Sequence, residues 1–196
     1  MSFLRMLAVV SKLCCAPMIA LSAMCFPLAG VTSAQPLSDA LSRHRSVYRT
    51  IEQNLRRYRH VETDMDTLGL EPRSTEGGRL GAYCDGNTIR LLVAEYYGET
   101  GDVSERFYFD RDSLLFVFRQ RRRGIPDDKN PYPRRTIFED ERFYFVRDRL
   151  ARWLGPTNRR RSVSSSAARE ETRSLVNDAH RFRAAMPACQ PTYANP

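Results

Sequence analysis

Arginine and aromatic side chains alternate along two stretches of this sequence, and they are the residues most able to bind a ligand. In an extended strand Arg106 and Tyr108 share one side, and Arg142 and Tyr144 repeat that arrangement. Guanidinium groups bind phosphates and carboxylates and stack on rings, although ordinary cross-strand pairs on a solvated surface give the same pattern. The candidate binding residues are Arg106, Tyr108, Arg142, Tyr144, Trp153, Arg121, Arg122 and Arg123.

No catalytic constellation accompanies these residues. The histidines are His44, His60 and His180, and none stands with a serine or cysteine and an acid in a recognisable context. Asp110-Arg111-Asp112 imitates the opening of a calcium loop but lacks its remaining ligands. We therefore expect no enzyme activity, no cofactor and no metal site. An enzyme with an unrecognised site is the alternative, which a deep pocket lined by Glu99, Asp102, His60 or His180 would favour.

The N-terminus has the pattern of an export signal. Arg5 and Lys12 precede a stretch without charge from Leu13 to Gly30, which ends in the small residues Thr32-Ser33-Ala34. We predict a signal peptide over 1–34, cut after Ala34, and a single domain over 35–196 that is periplasmic or secreted and has no transmembrane segment. An uncleaved anchor and a lipid-anchored Cys25 are the alternatives.

The formal net charge of +8 comes almost entirely from arginine. Such a surface suits anions, although the base composition of a genome can also favour arginine over lysine. Nucleic acid is not an expected partner of an exported chain. The sequence thus suggests a non-enzymatic binding module for an anionic envelope lipid or a partner protein. The alternative is a structural or assembly protein of the cell envelope that docks on another subunit.

Two cysteines, Cys84 and Cys189, lie beyond the predicted signal. In an exported chain such a pair most simply forms one disulfide. Metal binding is the weaker alternative, because neither cysteine has a second ligand at a recognisable spacing.

Apolar periodicity predicts the elements that position these residues. A stripe through Leu41, His44, Tyr48 and Ile51 predicts a helix over about 38–60, and a second stripe predicts one over about 165–185. Alternation and turn residues predict three hairpins between them, with a loop over 120–135. The fold class is therefore α+β, an antiparallel meander of about six strands packed by the N-terminal and C-terminal helices.

The hairpins repeat one another. Glu-Arg-Phe-Tyr-Phe occurs at 105–109 and again at 141–145, and Cys84 takes the position of Phe109 in a looser third copy. We assign the phenylalanines to the core and expect both helices to cover their side of the sheet. The opposite face is predicted to carry Arg106, Tyr108, Arg142, Tyr144, Ala151 and Trp153.

One turn motif carries a resemblance. Tyr-Gly-Glu-Thr-Gly at 97–101, followed by Phe107-Tyr108-Phe109-Asp110 and an aromatic strand, resembles an uncharacterised group of bacterial exported proteins and lipoproteins. The similarity covers about 78–154, and Cys84 stands where the group has an aromatic residue. The resemblance implies an exported hairpin fold and supplies no catalytic residue.

Overall fold

The computed structural model describes residues 34–71, 74–127, 130–186 and 189. The predicted signal segment, apart from Ala34, lies outside the described residues. Two helices flank eight strands in the chain order α1 (Ala34–Asn54), β1 (Arg59–Asp64), β2 (Gly78–Asp85), β3 (Thr88–Tyr96), β4 (Gly101–Asp110), β5 (Ser113–Asp127), β6 (Asn130–Val146), β7 (Arg149–Leu154), β8 (Arg160–Arg161) and α2 (Ser166–Ala185).

The strands form one antiparallel sheet in which every strand pairs with its neighbours in sequence. The three predicted hairpins, β2–β3, β4–β5 and β6–β7, share one irregularity. Each has a bulge just before its turn, at Tyr83/Cys84, Tyr108/Phe109 and Tyr144/Phe145. The first residue of each turn then has a positive φ, as tight hairpin turns require. This φ angle is 60° at Gly86, 57° at Arg111 and 52° at Arg147. The sequence repeat is therefore a repeat of backbone geometry.

The two helices pack on opposite faces of the sheet. Leu175, Ala179 and Phe182 of α2 join the phenylalanine core, in which Phe107 and Phe143 are completely buried. Ile51 of α1 belongs to a separate cluster with residues of the other face, namely Leu91, Tyr108, Leu115 and Phe116. The phenylalanine core is confirmed, but the expectation that both helices cover that face is wrong. Both sheet faces carry enough aromatic area to bury a helix.

The strand count and two boundaries also differ from the sequence predictions. The predicted first helix ends at Asn54, and the residues after it form a turn and the edge strand β1. The predicted loop over 120–135 is mostly strand, because β5 runs to Asp127 and pairs with β6 up to Asn130. The short strand β8 completes the sheet. The meander therefore has eight strands rather than about six.

A disulfide joins Cys84 of β2 to Cys189, which follows α2. Their α-carbons are 5.8 Å apart, and both side chains are buried in the phenylalanine core. The start of α2 is fixed by Ser165, whose hydroxyl accepts a hydrogen bond from the Ala168 amide at 3.1 Å. The disulfide thus fastens the chain just after α2 to the sheet, and the serine cap fixes where the helix begins. Neither α1 nor α2 is apolar enough over a sufficient length to cross a bilayer.

Candidate anion-binding site

Two cross-strand rows form the floor of the candidate site, on the sheet face that α1 covers. The strand register aligns Tyr108, Phe116, Tyr144 and Arg152 in the first row. The second row aligns Arg106, Phe118, Arg142 and Leu154. Because residues directly opposite one another on neighbouring strands lie side by side, each row is a continuous surface.

The first row is an aromatic surface. The ring centroid of Phe116 lies 5.4 Å from that of Tyr108 and 5.0 Å from that of Tyr144. Tyr48 reaches down from α1 and packs on the same rings, 5.1 Å from Tyr108 and 5.8 Å from Phe116. Tyr48 is 39 % exposed, so its ring forms a wall of the site rather than part of a closed core. Together these rings form a continuous apolar cluster, in which the Phe116 ring is tilted by 36° from Tyr108 and by 38° from Tyr144.

Tyr108 ties this surface to the helix. Its hydroxyl donates a hydrogen bond to Glu52 Oε1 of α1 at 2.7 Å. Burial raises the pKa of Tyr108 above its usual value, and the hydrogen bond to Glu52 raises it further, because both disfavour the phenolate. The phenol therefore stays protonated at neutral pH and acts as a fixed donor to α1.

Four arginines surround the aromatic surface, two from the helix and two from the sheet. Arg142 lies with its Cζ 5.3 Å from the Phe118 ring centroid, donates a hydrogen bond to Asn158 at 2.8 Å and forms an ion pair with Asp140 at 3.5 Å. Arg106 is 4.0 Å from Glu52. In the part of the chain that the structure describes, the helix arginines Arg45 and Arg49 have no carboxylate within 4 Å. The positive charge of this rim is only partly compensated.

Between the helix and the two rows lies a cavity of about 460 Å³. Its lining contains four arginines, one histidine, five aromatic side chains and no carboxylate, in the order His44, Arg45, Tyr48, Arg49, Arg106, Tyr108, Phe116, Phe118, Arg142 and Tyr144. We call this space the arginine–aromatic cavity. His44 is buried, and its ring nitrogens contact the carbonyl oxygens of Ala40 and Phe145, so it joins α1 to β6.

A neighbouring cavity shows why the lining matters more than the size. Its volume is about 650 Å³, and three arginines and three aspartates share its wall: Arg43, Arg111, Arg147, Asp39, Asp110 and Asp112. Arg43 forms an ion pair with Asp110. The three positive and three negative charges of this cavity's wall balance one another. This larger cavity therefore has no excess of positive charge to offer an anion.

The structure therefore brings four of the predicted binding residues together and separates the other four. Arg106, Tyr108, Arg142 and Tyr144 all line the cavity. Trp153 is on the opposite face, where it stacks on Phe143 at 5.3 Å and is 4 % exposed.

The other three predicted residues lie on strand β5 instead of in a loop. Arg121 donates a hydrogen bond to Glu141 at 2.7 Å, Arg122 pairs with Asp102, and Arg123 is exposed beside Gly101. None of them lines the cavity. They are not part of the candidate site.

Sequence reasoning missed the helix half of the site. His44, Arg45, Tyr48 and Arg49 all line the cavity from α1. The helical stripe through His44 and Tyr48 is visible in the sequence, and arginines flank it. The stripe does not reveal which sheet face the helix covers, so these residues could not be joined to the Arg and Tyr rows.

A second charged cluster lies on the α2 side of the sheet, centred on Arg119. Its Nε donates to Glu105 at 2.6 Å, its Nη2 donates to Glu171 of α2 at 3.0 Å, and its Nη1 lies 3.5 Å from Glu141. The side chains of Arg119, Glu105 and Glu141 are at most 3 % exposed. Burial opposes the charge, but the carboxylates, chiefly Glu105, outweigh it and raise the pKa of Arg119.

This cluster joins three strands and α2, and its three carboxylates are balanced by Arg119, Arg121 and Arg161, the last 4.0 Å from Glu141. Glu141 also accepts hydrogen bonds from Arg121 and from the Trp153 indole, the latter at 3.3 Å. We interpret the cluster as structural. Among the described residues there is no group of three histidine, cysteine or acidic side chains placed to hold a metal ion.

Comparison with known proteins adds no functional assignment. No family model, no curated protein and no solved structure matches the chain. The resemblance to bacterial exported proteins stays a prediction.

Proposed function

We propose that this protein is a non-enzymatic binding module that takes an anionic ligand with an apolar body into the arginine–aromatic cavity. The observation that carries the proposal is the composition of the lining, which has four arginines, five aromatic side chains and no carboxylate. A site of this composition repels cations and favours anions.

Electrostatics supports an anion as the ligand. Arg45, Arg49, Arg106 and Arg142 all line one cavity, and like charges repel. Glu52 lies 4.0 Å from Arg106 and Asp140 lies 3.5 Å from Arg142, so the uncompensated charge comes chiefly from the two helix arginines. An anion placed between them relieves that repulsion and accepts charge-assisted hydrogen bonds from planar guanidinium groups. Binding should therefore weaken as salt screens the attraction.

The aromatic floor supports an apolar body next to the anionic group. Tyr108 and Phe116 are themselves buried, and the apolar area open to a ligand comes from the partly exposed rings of Phe118 and Tyr144 and from Tyr48, which is 39 % exposed. Burying apolar ligand area against these rings contributes roughly 25 cal/mol per Å². A bare inorganic anion forgoes this contribution and should bind more weakly than an amphipathic one.

We place the protein in the periplasm or outside the cell, where an anionic envelope component is the natural ligand. The order of positive charge, apolar stretch and small residues at the N-terminus supports export. The disulfide between Cys84 and Cys189 is compatible with an oxidising compartment.

Titration calorimetry with a matched pair of probes tests the proposal. Naphthalenesulfonate carries the anion and the ring, and naphthalenesulfonamide keeps the shape without the charge. The wild-type protein should bind the sulfonate and bind the sulfonamide at least about tenfold more weakly, since hydrogen bonds to charged groups are the stronger ones. Equal affinity for the two probes, or no binding of the sulfonate, would overturn the proposal.

Variants locate the binding. Arg106→Gln and Arg142→Gln should each weaken sulfonate binding about tenfold. The control is Arg122→Gln, because Arg122 has the same chemistry but lies outside the cavity on an exposed part of β5. A loss in the control as large as in the cavity variants would show non-specific attraction to a basic protein and would contradict the assignment.

Vesicles test whether the anion belongs to a lipid. A lipid ligand requires binding to vesicles that contain phosphatidylglycerol, much less binding to vesicles of phosphatidylcholine alone, and a decrease at high salt. Equal binding to both, or binding to neither, would exclude a membrane lipid and leave a soluble anion as the ligand.

One observation favours the alternative, an assembly protein that docks on another envelope subunit. Phe138 on β6 is 59 % exposed, directly opposite Arg122 of β5 in the strand register. An exposed aromatic ring beside arginine is typical of protein interfaces. Crosslinking at a low concentration of crosslinker distinguishes the two functions. Docking predicts a stoichiometric crosslinked product of this protein with its partner protein, and Phe138→Ser should abolish that product.

A further inference from the structure

Strand β1 leaves one edge of the sheet open. It is the first strand in the sheet order, and among the described residues no strand pairs with its outer side. Its six residues pair with β2 without a bulge, contain no proline and from His60 onward are alternately exposed and half-buried. The strand at the other edge, β8, has only two residues. A regular open edge of this kind is a surface on which a further strand can pair.

The backbone groups on the open side follow from the pairing with β2. The Met65 amide donates a hydrogen bond to the Gly78 carbonyl at 2.9 Å, in the same register as the rest of β1. Successive residues of an antiparallel strand direct their N–H and C=O groups to alternate sides. Residues an even number of positions from Met65 therefore bond to β2. The groups of His60, Glu62 and Asp64 point outward.

The side chains of β1 complement those of a second copy that runs in the opposite direction. A twofold axis through Val61 places His60 opposite Glu62 of the second copy, twice, and Val61 opposite itself. This register also pairs the outward N–H and C=O groups of His60 and Glu62 with each other. An axis through Glu62 instead sets two carboxylates directly opposite each other, which is unfavourable. The charges thus select one register.

The two side chains that would meet across the axis are accessible and held in place. Those of His60 and Glu62 are each 41 % exposed, and Glu62 Oε2 lies 3.8 Å from His60 Nε2 of the same chain. Glu62 Oε1 accepts a hydrogen bond from Arg79 at 2.8 Å. The His60 ring stacks on Tyr83 with the centroids 4.4 Å apart. Both groups therefore lie at the edge in fixed positions before a second copy arrives.

We propose that two copies of this protein associate through β1 into a twofold dimer, in which an antiparallel β1–β1 pair centred on Val61 joins the two sheets. Because the axis is normal to the sheet, the α1-covered faces of both copies lie on the same side. A single strand pair buries little area, and interfaces below about 1,200 Å² are typical of weak association. The dimer is therefore reversible, with a dissociation constant on the order of 10–100 µM.

Cysteine trapping tests the register, in a protein whose Cys14, Cys15 and Cys25 are replaced by serine. Val61→Cys should form an intermolecular disulfide under mild oxidation, because opposed α-carbons in such a pair are about 4.5–5.5 Å apart. The matched control is Thr63→Cys, which is half-buried on the same side of β1. Its two copies are four residues apart along the pair, about 13 Å, and should stay unlinked. Equal crosslinking of the two variants, or none of Val61→Cys, would overturn the proposal.

Sedimentation velocity measures the association without a new cysteine. Wild-type protein should change from monomer to dimer between about 1 µM and about 500 µM. Glu62→Pro removes an outward amide donor and no hydrogen bond to β2, so it should keep the urea midpoint and weaken association at least about tenfold. Glu62→Ala loses the same carboxylate but keeps the amide, and should associate more tightly than Glu62→Pro. A wild-type protein that stays monomeric throughout, or equal association of Glu62→Pro and wild type, would contradict the dimer.

Discussion

Replacing the buried Arg119 by methionine should destabilise the protein more than any replacement of an exposed arginine. Methionine keeps much of the aliphatic length and can still pack on Phe143, whose ring centroid lies 5.1 Å from the guanidinium carbon. What it removes is the charge that Glu105 contacts at 2.6 Å and that Glu171 contacts at 3.0 Å. The variant therefore tests charge rather than shape.

The magnitude follows from burial. Glu105 is 1 % exposed, and breaking a buried ion pair by removing one partner costs about 3–5 kcal/mol. Glu171 is 29 % exposed and regains water, so its pair adds less than about 1 kcal/mol. Arg119→Met should thus lower the free energy of unfolding by about 4 kcal/mol. This is a large part of the roughly 5–15 kcal/mol that stabilises a typical domain.

Urea denaturation with the disulfide intact measures this loss. With a slope of about 2 kcal/mol per molar urea, the midpoint should fall by about 2 M. The control is Arg122→Met, because Arg122 pairs with Asp102 but is 55 % exposed, and it should cost less than about 1 kcal/mol. The double replacement of Arg119 and Glu105 by methionine should regain much of the loss. Equal midpoints for Arg119→Met and Arg122→Met would refute the reasoning.

Three further predictions concern the remaining attachments. Reducing the Cys84–Cys189 disulfide, which closes a loop of 105 residues, should lower the free energy of unfolding by about 4–5 kcal/mol, and an unchanged urea midpoint would contradict this. Tyr108→Phe should cost about 1–2 kcal/mol at neutral pH through the lost hydrogen bond to Glu52. Because the folded-state pKa of Tyr108 is raised, the wild type loses stability above about pH 10 and its advantage over the variant should shrink there. Ile51→Ala should cost about 2–5 kcal/mol, whereas a cost below about 0.5 kcal/mol would argue against α1 packing on the sheet.

Local signals account for the parts of the fold that the sequence predicted. Two-residue alternation assigns Phe107 and Phe143 to one sheet face, and both are completely buried there. Asp85-Gly86 marks a tight hairpin turn, and Gly86 has the positive φ that such a turn needs. The pairing of Cys84 with Cys189 needs only a count of cysteines beyond the predicted signal.

A bulge explains why Trp153 was assigned to the wrong face. If β6 and β7 paired without a bulge, Ala151 would lie opposite Tyr144, and Trp153 would lie on the same side of the sheet as Tyr144. The bulge between Tyr144 and Phe145 skips Ala151, so that Arg152 faces Tyr144 and Trp153 faces Phe143. Alternation alone does not reveal an extra residue in a strand, and the repeat could be interpreted only after the register was known.

Long-range packing explains the other errors. The apolar stripe of α1 shows that the helix buries one side, but Tyr108 and Phe116 make the second sheet face as suitable as the phenylalanine face. The arginines at 121–123 and Gly124 are typical of a loop, yet they continue β5 because β6 pairs with them residue by residue. Both outcomes depend on partners far away in sequence. The cavity arises from that packing and was therefore invisible to sequence analysis.

The binding of an anion between α1 and the sheet is tested most directly by mapping naphthalenesulfonate on the protein with nuclear magnetic resonance. Saturating probe should shift the ring and amide signals of Tyr48, Tyr108 and Tyr144 most, since these residues line the arginine–aromatic cavity. Shifts that centre on Phe138 at the far part of the β5–β6 hairpin, with the cavity signals unchanged, would contradict the assignment.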